Sequence, residues 1–183
     1  MFTTNQNIEQ LLTLCSSGNQ RAQLEVYNRY YKAMYNTSLR IVRDSYKAED
    51  IMQESFLTAF SKLESLKDTS VFGAWLKKIV VNNSIADYNK TTKENTIALE
   101  DVLYKVEDPI GLEENDLQKD KVKHILKSIK QLKSNYSIGL TLHLIEGYDY
   151  EEISEIMNIT YANCRTLISR AKESLRQKLS ISA

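Results

Sequence analysis

Residues that break helices are scarce in this chain, and that scarcity constrains its fold more than any other feature. The 183 residues include five Gly and one Pro, while Leu, Ile, Lys, Glu and Gln recur at helical spacing. The turns between strands depend on Gly, Asn and Pro, so a sheet-rich fold would lack most of its turn residues. The sequence therefore predicts an all-α protein, and its length suits one ordinary domain or two small ones.

Charge divides the chain into three parts, although the total is balanced. Residues 1–90 carry 11 basic and 9 acidic side chains, residues 91–119 carry 3 and 8, and residues 120–183 carry 10 and 7. The middle part contains the one proline, Pro109, close to Gly111, and its apolar residues are sparse. We therefore predict two helical domains, residues 1–90 and 119–183, joined by an acidic linker at residues 91–118.

Several function classes lack the residues that they need. Basic and acidic side chains number 24 each, so no net field draws the chain onto nucleic acid, and strong DNA binding requires local patches or a partner. Two cysteines and two histidines assemble no metal-ligand motif, and no Gly-rich phosphate loop or nucleophile–base pair is present. We predict no enzyme, no metal or other cofactor and no small-molecule substrate. Lacking a signal peptide or a long apolar run, the chain is expected to be cytoplasmic, without membrane insertion.

The first domain contains four amphipathic segments. A short helix, "IEQLLTLC", ends at Gly18 and Asn19. Asp44 is expected to cap a third helix, and Ser70 a fourth that begins at "FGAW". Short connections between the helices predict a four-helix bundle. On the long second helix the predicted apolar face consists of Leu24, Tyr27, Tyr31, Met34, Ile41 and Val42.

The third helix, "AEDIMQESFLTAF", carries two stripes at helical spacing. Ile51, Met52, Phe56 and Phe60 form the stripe that should pack inward. The opposite stripe mixes carboxylate, amide and aliphatic side chains: Asp50, Gln53, Glu54 and Leu57. Taken without context, those four residues fit a solvated face better than a contact surface.

The second domain shows a helix-turn-helix pattern. Asp149 and Glu152 have the spacing of a capping box, Asn158 stands where the chain must reverse, and Thr160 can cap the second helix. The buried stripe of that helix is predicted to be Cys164, Ile168, Ala171 and Leu175. An αα-hairpin would show the same stripe, but the basic end "RAKESLRQK" favours DNA binding.

Together these stretches resemble a bacterial RNA polymerase sigma factor of the extracytoplasmic-function (ECF) subfamily, which retains only regions 2 and 4. The resemblance spans about residues 19–178 and rests on the pattern D-x-x-Q-E-x-F from Asp50 to Phe56, followed by Phe72 and Trp75. It implies a protein that binds core RNA polymerase, recognises promoter DNA and directs transcription initiation. The alternatives are a conventional helix-turn-helix regulator that acts without replacing the housekeeping sigma factor, and a helical adaptor with no DNA role.

The resemblance implies three contact surfaces. The outward stripe of Asp50, Gln53, Glu54 and Leu57 would bind core polymerase, whose beta-prime and beta subunits are the expected partners. Residues Lys67, Asp68, Thr69 and Ser70 would capture a base flipped from the minus-ten element, with Lys77, Lys78 and Asn82 as further contacts. Eight residues of the last helix would contact the minus-thirty-five element: Tyr161, Asn163, Arg165, Thr166, Ser169, Arg170, Lys172 and Arg176. Of these, Arg165 would read bases and Lys172 would contact phosphates.

The resemblance also bears on the linker and on two unusual positions. The acidic linker would either thread the polymerase channel reserved for RNA or serve as a soluble tether, and an anti-sigma factor is a candidate further partner. Gly139 falls inside the first helix of region 4, where glycine is less favourable than alanine by about 1 kcal/mol. Leu167 stands where the family commonly has Arg or Gln.

Overall fold

In this computed structural model the described residues are 7–94 and 116–181, and the chain divides between Val106 and Glu107 into two compact units. Within the described ranges every regular element is helical, as predicted. The first unit contains α1 (Ile8–Ser16), α2 (Gln20–Val42), α3 (Ser45–Ser61) and α4 (Phe72–Glu94). The second contains α5 (Asp116–Lys130), α6 (Ser134–Leu140), α7 (Tyr150–Met157) and α8 (Tyr161–Ile181).

The first unit is the expected four-helix bundle. Helix α2 packs against each of the other three helices, and α3 packs against α4. Their apolar faces enclose one core, in which these side chains are at most 2% exposed: Leu11, Leu12, Val26, Met52, Phe56, Ala59, Phe72, Leu76 and Val80. The Ser84 hydroxyl lies 3.0 Å from that of Ser38, so a buried hydrogen bond also joins α4 to α2.

The helix boundaries in this unit follow local side-chain chemistry. Gly18 has a φ of 80°, which glycine adopts without strain, and the Asn19 side chain accepts a hydrogen bond from the Ala22 N–H at 3.1 Å. Asp44 caps α3 as predicted, because its carboxylate accepts from two backbone N–H groups of the first turn. The prediction for Ser70 was wrong: α4 follows a 3-10 turn, Thr69–Val71, which Asp68 caps.

One predicted core residue of α2 lies outside the core. Leu24 is 60% exposed, whereas Ala22 and Val26 on either side of it are buried. Glu25 is also largely buried, and its carboxylate pairs with Arg29 one turn later at 3.0 Å. The buried face of α2 is therefore rotated relative to the predicted one, because its first turns pack against α1.

Most of the predicted linker lies outside the described residues. Its two ends are helical where the structure describes them, since α4 continues to Glu94 and α5 begins at Asp116.

The second unit is built around α8. Helix α6 packs closely against α8, α5 contacts both of them, and α7 packs against α8. Helix α6 continues into a turn of π-helix, Thr141–Ile145. The fully buried side chains of this unit include Leu140, Leu142, Ile153, Cys164, Ile168 and Ala171. The buried stripe predicted for the last helix is thus confirmed.

Candidate functional site

The outward face of α3 is exposed along its whole length. Asp50, Gln53, Glu54 and Leu57 are all exposed, Leu57 by 70%, while Ile51, Met52 and Phe56 are buried on the opposite side. Leu57 therefore lies at the surface among carboxylate and amide side chains. The predicted division of this helix into two stripes is confirmed.

The sequence interpretation missed one residue of this face. Tyr46 is 78% exposed and lies one helical turn before Asp50, so the two side chains share a face of α3. The spacing 46, 50, 53, 57 could have identified it. Gln53 is held by a hydrogen bond from its Nε2 to the Glu49 carboxylate at 3.3 Å, which adds a third carboxylate to the face.

Three polar contacts attach α3 to α4. The Ser55 hydroxyl donates to the Ile51 carbonyl at 2.6 Å and accepts from the Asn83 side-chain amide at 3.0 Å. At the start of α3, the Lys47 ammonium lies 3.5 Å from the Asp87 carboxylate and 2.9 Å from the Thr91 hydroxyl. These contacts make the exposed face a fixed feature of the bundle.

The segment between α3 and α4 is a short, ordered loop. The Asp68 carboxylate accepts hydrogen bonds from the Ser70 N–H at 2.9 Å and the Ser70 hydroxyl at 2.6 Å, and these two bonds lower the pKa of Asp68. Leu63 anchors the start of the loop in the core, and the loop packs against α1. Lys67, Asp68 and Ser70 are exposed, and Thr69 is half-buried.

The first turns of α4 continue from this loop. Lys78 and Asn82 are exposed one helical turn apart, whereas Lys77 is half-buried. Trp75 is partly buried against the core, with its ring centroid 6.0 Å from that of Phe72. The loop residues therefore directly precede α4, and Lys78 and Asn82 lie in its N-terminal half.

The turn between α7 and α8 has the predicted geometry. Asp149 and Glu152 form a complete capping box at the start of α7, and Asn158 ends that helix in the left-handed conformation, with a φ of 52°. Thr160 accepts a hydrogen bond from the Asn163 N–H at 3.2 Å and so caps α8. All three local predictions are confirmed, because each depends on side-chain-to-backbone bonds within a few residues.

Most of the residues assigned to DNA binding on α8 lie at the surface. The exposed ones are Tyr161, Asn163, Arg165, Thr166, Ser169, Arg170 and Arg176. Arg176 pairs with the Glu173 carboxylate at 3.2 Å, so part of its charge is already compensated. Lys172 differs from these residues because it is half-buried and hydrogen-bonded to His143 and Tyr150.

Gly139 and Leu167, the two unusual positions of this unit, touch each other. A Cβ atom added to Gly139 would lie 2.5 Å from Leu167 Cδ2 and 3.1 Å from Ile168 Cδ1. The missing side chain therefore lets α6 approach α8 closely enough for Leu167 to lie against the α6 backbone. The low helix propensity of Gly139 is offset by this packing.

Two other kinds of feature are absent from residues 7–94 and 116–181. That part of the chain contains no group of three or more His, Cys, Asp or Glu side chains able to hold a metal ion. Nor does any of its helices combine the length and apolar character needed to cross a membrane. Both cysteines are buried, and burial raises the pKa of Cys15 to about 11.

Comparison with known proteins gives matches to both units. The family model for Sigma-70 region 2 matches residues 26–94, and the model for Sigma-70, region 4, matches residues 124–175. The ECF RNA polymerase sigma factor SigM of Bacillus subtilis is 32% identical over 158 residues, which cover 83% of this chain and 91% of that relative. The RNA polymerase sigma-H factor of Pseudomonas aeruginosa is 27% identical over 191 residues, which cover 98% and 96%.

A solved structure supports the fold. The sigma factor RpoE from Bartonella quintana, in a co-crystal structure with the anti-sigma factor NepR, matches with a TM-score of 0.59 at 21% sequence identity. The match covers 87% of this chain and 97% of that chain.

Proposed function

The chain belongs to the ECF sigma factors of bacterial RNA polymerase, and on that premise we propose which of its surfaces carries each step of initiation. As a sigma factor, it binds core RNA polymerase, recognises promoter DNA and directs transcription initiation. We assign residues 1–90 to region 2, residues 119–183 to region 4 and residues 91–118 to the connection between them. We assign no catalytic residue and, because core polymerase is cytoplasmic, a cytoplasmic location.

The outward face of α3 is assigned to core binding, principally through the beta-prime subunit. The observation that carries this assignment is the exposure of Leu57 beside Asp50, Gln53 and Glu54, on a helix fixed from behind. Carboxylates on such a face can accept charge-assisted hydrogen bonds from basic residues of the partner, while the aliphatic side chain supplies apolar contact area. Tyr46 extends the same face by one turn.

The loop before α4 is assigned to the minus-ten element. A flipped base needs a pocket whose walls keep their shape, and the Asp68–Ser70 hydrogen bonds with the packing of the loop against α1 supply that order. Lys67 at the loop and Lys78 with Asn82 on α4 offer donors to the strand backbone. Lys77 and Thr69 are both half-buried and are assigned to the same surface.

Helix α8 is assigned as the recognition helix for the minus-thirty-five element. Its N-terminal half presents Tyr161, Asn163, Arg165, Thr166 and Ser169 on the exposed side, where the N-terminal part of a recognition helix meets base edges. Arg170, Lys172 and Arg176 lie further along and are assigned to phosphates. A conventional helix-turn-helix regulator is not favoured, because such a protein does not require a sigma region 2, and region 2 matches residues 26–94 of the first unit.

We also propose that this chain has a regulatory protein partner. The solved RpoE structure contains the anti-sigma factor NepR, and we propose that an anti-sigma protein can also hold this chain.

Binding to core polymerase tests the assignment of α3. The double variant Asp50→Arg, Gln53→Ala should lose co-purification with core polymerase while its circular dichroism spectrum stays unchanged, because both side chains point away from the bundle. Glu64→Arg provides a matched control, since it makes the same charge reversal at an exposed residue of this unit that lies outside α3. Binding of the double variant at the level of the control would refute the assignment.

A further inference from the structure

A cluster of three side chains joins the π-helical turn, α7 and α8. The Lys172 ammonium lies 3.2 Å from His143 Nε2 and 3.4 Å from the Tyr150 hydroxyl. The His143 and Tyr150 rings pack together, with centroids 4.9 Å apart. Lys172 is therefore held from two sides by elements that precede the recognition helix in the chain.

The hydrogen-bond pattern fixes the role of each group. His143 Nδ1 lies 3.1 Å from the Tyr148 carbonyl oxygen, which can only accept, so Nδ1 carries the hydrogen. In the neutral ring Nε2 is then an acceptor and receives one N–H of Lys172. A second N–H of Lys172 reaches the Tyr150 hydroxyl oxygen, which leaves the hydroxyl hydrogen to be donated elsewhere. The cluster thus retains one N–H donor on Lys172 and one O–H donor on Tyr150.

The charge of the cluster is not compensated by a neighbour. In the described part of the chain Lys172 bonds to these two neutral groups and forms no ion pair with a carboxylate. Arg176, one turn later on α8, does pair with Glu173. All three side chains of the cluster remain partly exposed, so an anion can approach the two remaining donors.

We propose that Lys172 and Tyr150 together bind one phosphate of the minus-thirty-five DNA backbone, and that His143 is a positioning residue that acts through Lys172. The proposal rests on the assignment of α8 as the recognition helix. A lysine side chain ordinarily loses considerable rotamer freedom when it binds. Here His143 and Tyr150 have already restricted that freedom, so the phosphate contact fixes the register of α8 on the DNA at a smaller entropic cost.

Salt-dependent binding of the reconstituted holoenzyme to a promoter that it transcribes tests the proposal. Lys172→Ala should lower the slope of log K against log salt by about one unit, because one phosphate contact is lost. His143→Ala should weaken binding roughly 3- to 10-fold, the effect of one hydrogen bond, with little change in slope because the lysine charge remains. His143→Gln, whose amide oxygen can replace Nε2 as the acceptor, should restore most of the affinity, and Tyr150→Phe should behave like His143→Ala.

The double variant His143→Ala, Lys172→Ala identifies how His143 acts. If His143 works through Lys172, adding His143→Ala to Lys172→Ala should change affinity by less than 2-fold. An equal loss in both backgrounds, an unchanged slope in Lys172→Ala, or failure of His143→Gln to restore binding would overturn the proposal. A lowered Tm identifies a variant whose fold is damaged. If His143→Ala is such a variant, Tyr150→Phe still tests whether the cluster contributes to DNA binding, because it removes only the hydroxyl group. If base changes in the minus-thirty-five element leave wild-type binding unaltered, the assignment of α8 fails instead.

Discussion

Replacing Gly139 by alanine should have a less favourable effect on stability in the presence of Leu167 than in its absence. In a helix the substitution alone is favourable by about 1 kcal/mol. In the wild-type protein, however, the new Cβ would lie 2.5 Å from Leu167 Cδ2, and such overpacking costs about 1 to 3 kcal/mol. Because Leu167 Cδ2 is the flexible end of a half-buried side chain that can shift, the cost should fall at the low end of this range, and Gly139→Ala should be close to neutral for the second unit. In a Leu167→Ala background it should stabilise that unit by about 1 kcal/mol.

Thermal unfolding followed by far-UV circular dichroism gives the Tm of the wild type, of Gly139→Ala, of Leu167→Ala and of the double variant. For a domain of this size, 1 kcal/mol corresponds to about 4 to 8 °C in Tm. Tryptophan fluorescence reports only the first unit, because the single Trp is Trp75, and so separates the two transitions. Gly147→Ala is the control. A Cβ atom at position 147 would meet open space, but the backbone there has a φ of 82°, which strains any residue other than glycine, so the substitution should be destabilising by a similar amount in both backgrounds. If Gly139→Ala also had the same effect in both, the packing explanation would be wrong.

Three further predictions concern single residues. Arg165→Ala should relax discrimination among minus-thirty-five variants by about 1 to 3 kcal/mol; equal loss on every variant in holoenzyme transcription assays would show a phosphate contact instead. Arg43 has a φ of 61°, a left-handed conformation that glycine adopts without strain, so Arg43→Gly should be more stable in thermal unfolding than Arg43→Ala by about 1 kcal/mol. Equal Tm values would contradict this. Burial raises the pKa of Cys15 from 9.0 to about 11, so at pH 8 its thiolate fraction in the folded protein should be about 100-fold lower than in the denatured chain. Alkylation of the folded protein as fast as that of the denatured chain would refute this.

Local sequence signals predicted the helix boundaries well and the packing partners less well. The capping by Asp44, Asp149 and Thr160 could be predicted because each bond joins residues that are two or three positions apart. Leu24 was placed on the wrong face because the burial of α2 depends on where α1 packs, and that information is not contained in the periodicity of α2.

The candidate site shows the same limit. The exposed stripe of α3 follows from a single helical period, so the sequence contained nearly all of it. The pairing of Lys172 with His143 joins positions 29 residues apart, and the contact of Gly139 with Leu167 depends on how closely α6 and α8 approach. Neither contact has a signature in the local pattern.

Transcription in vitro tests whether this chain gives core polymerase its promoter specificity. Genomic fragments of the source bacterium would be transcribed with core polymerase alone, with the protein alone and with both, and the 5′ ends of the transcripts sequenced. We expect new start sites only when core polymerase and the protein are both present. These start sites should be preceded by a shared pair of minus-thirty-five and minus-ten elements. The isolated chain, with equal numbers of basic and acidic residues, should bind the same fragments weakly. Tight sequence-specific binding without polymerase, or no new start sites with a folded protein, would contradict the account.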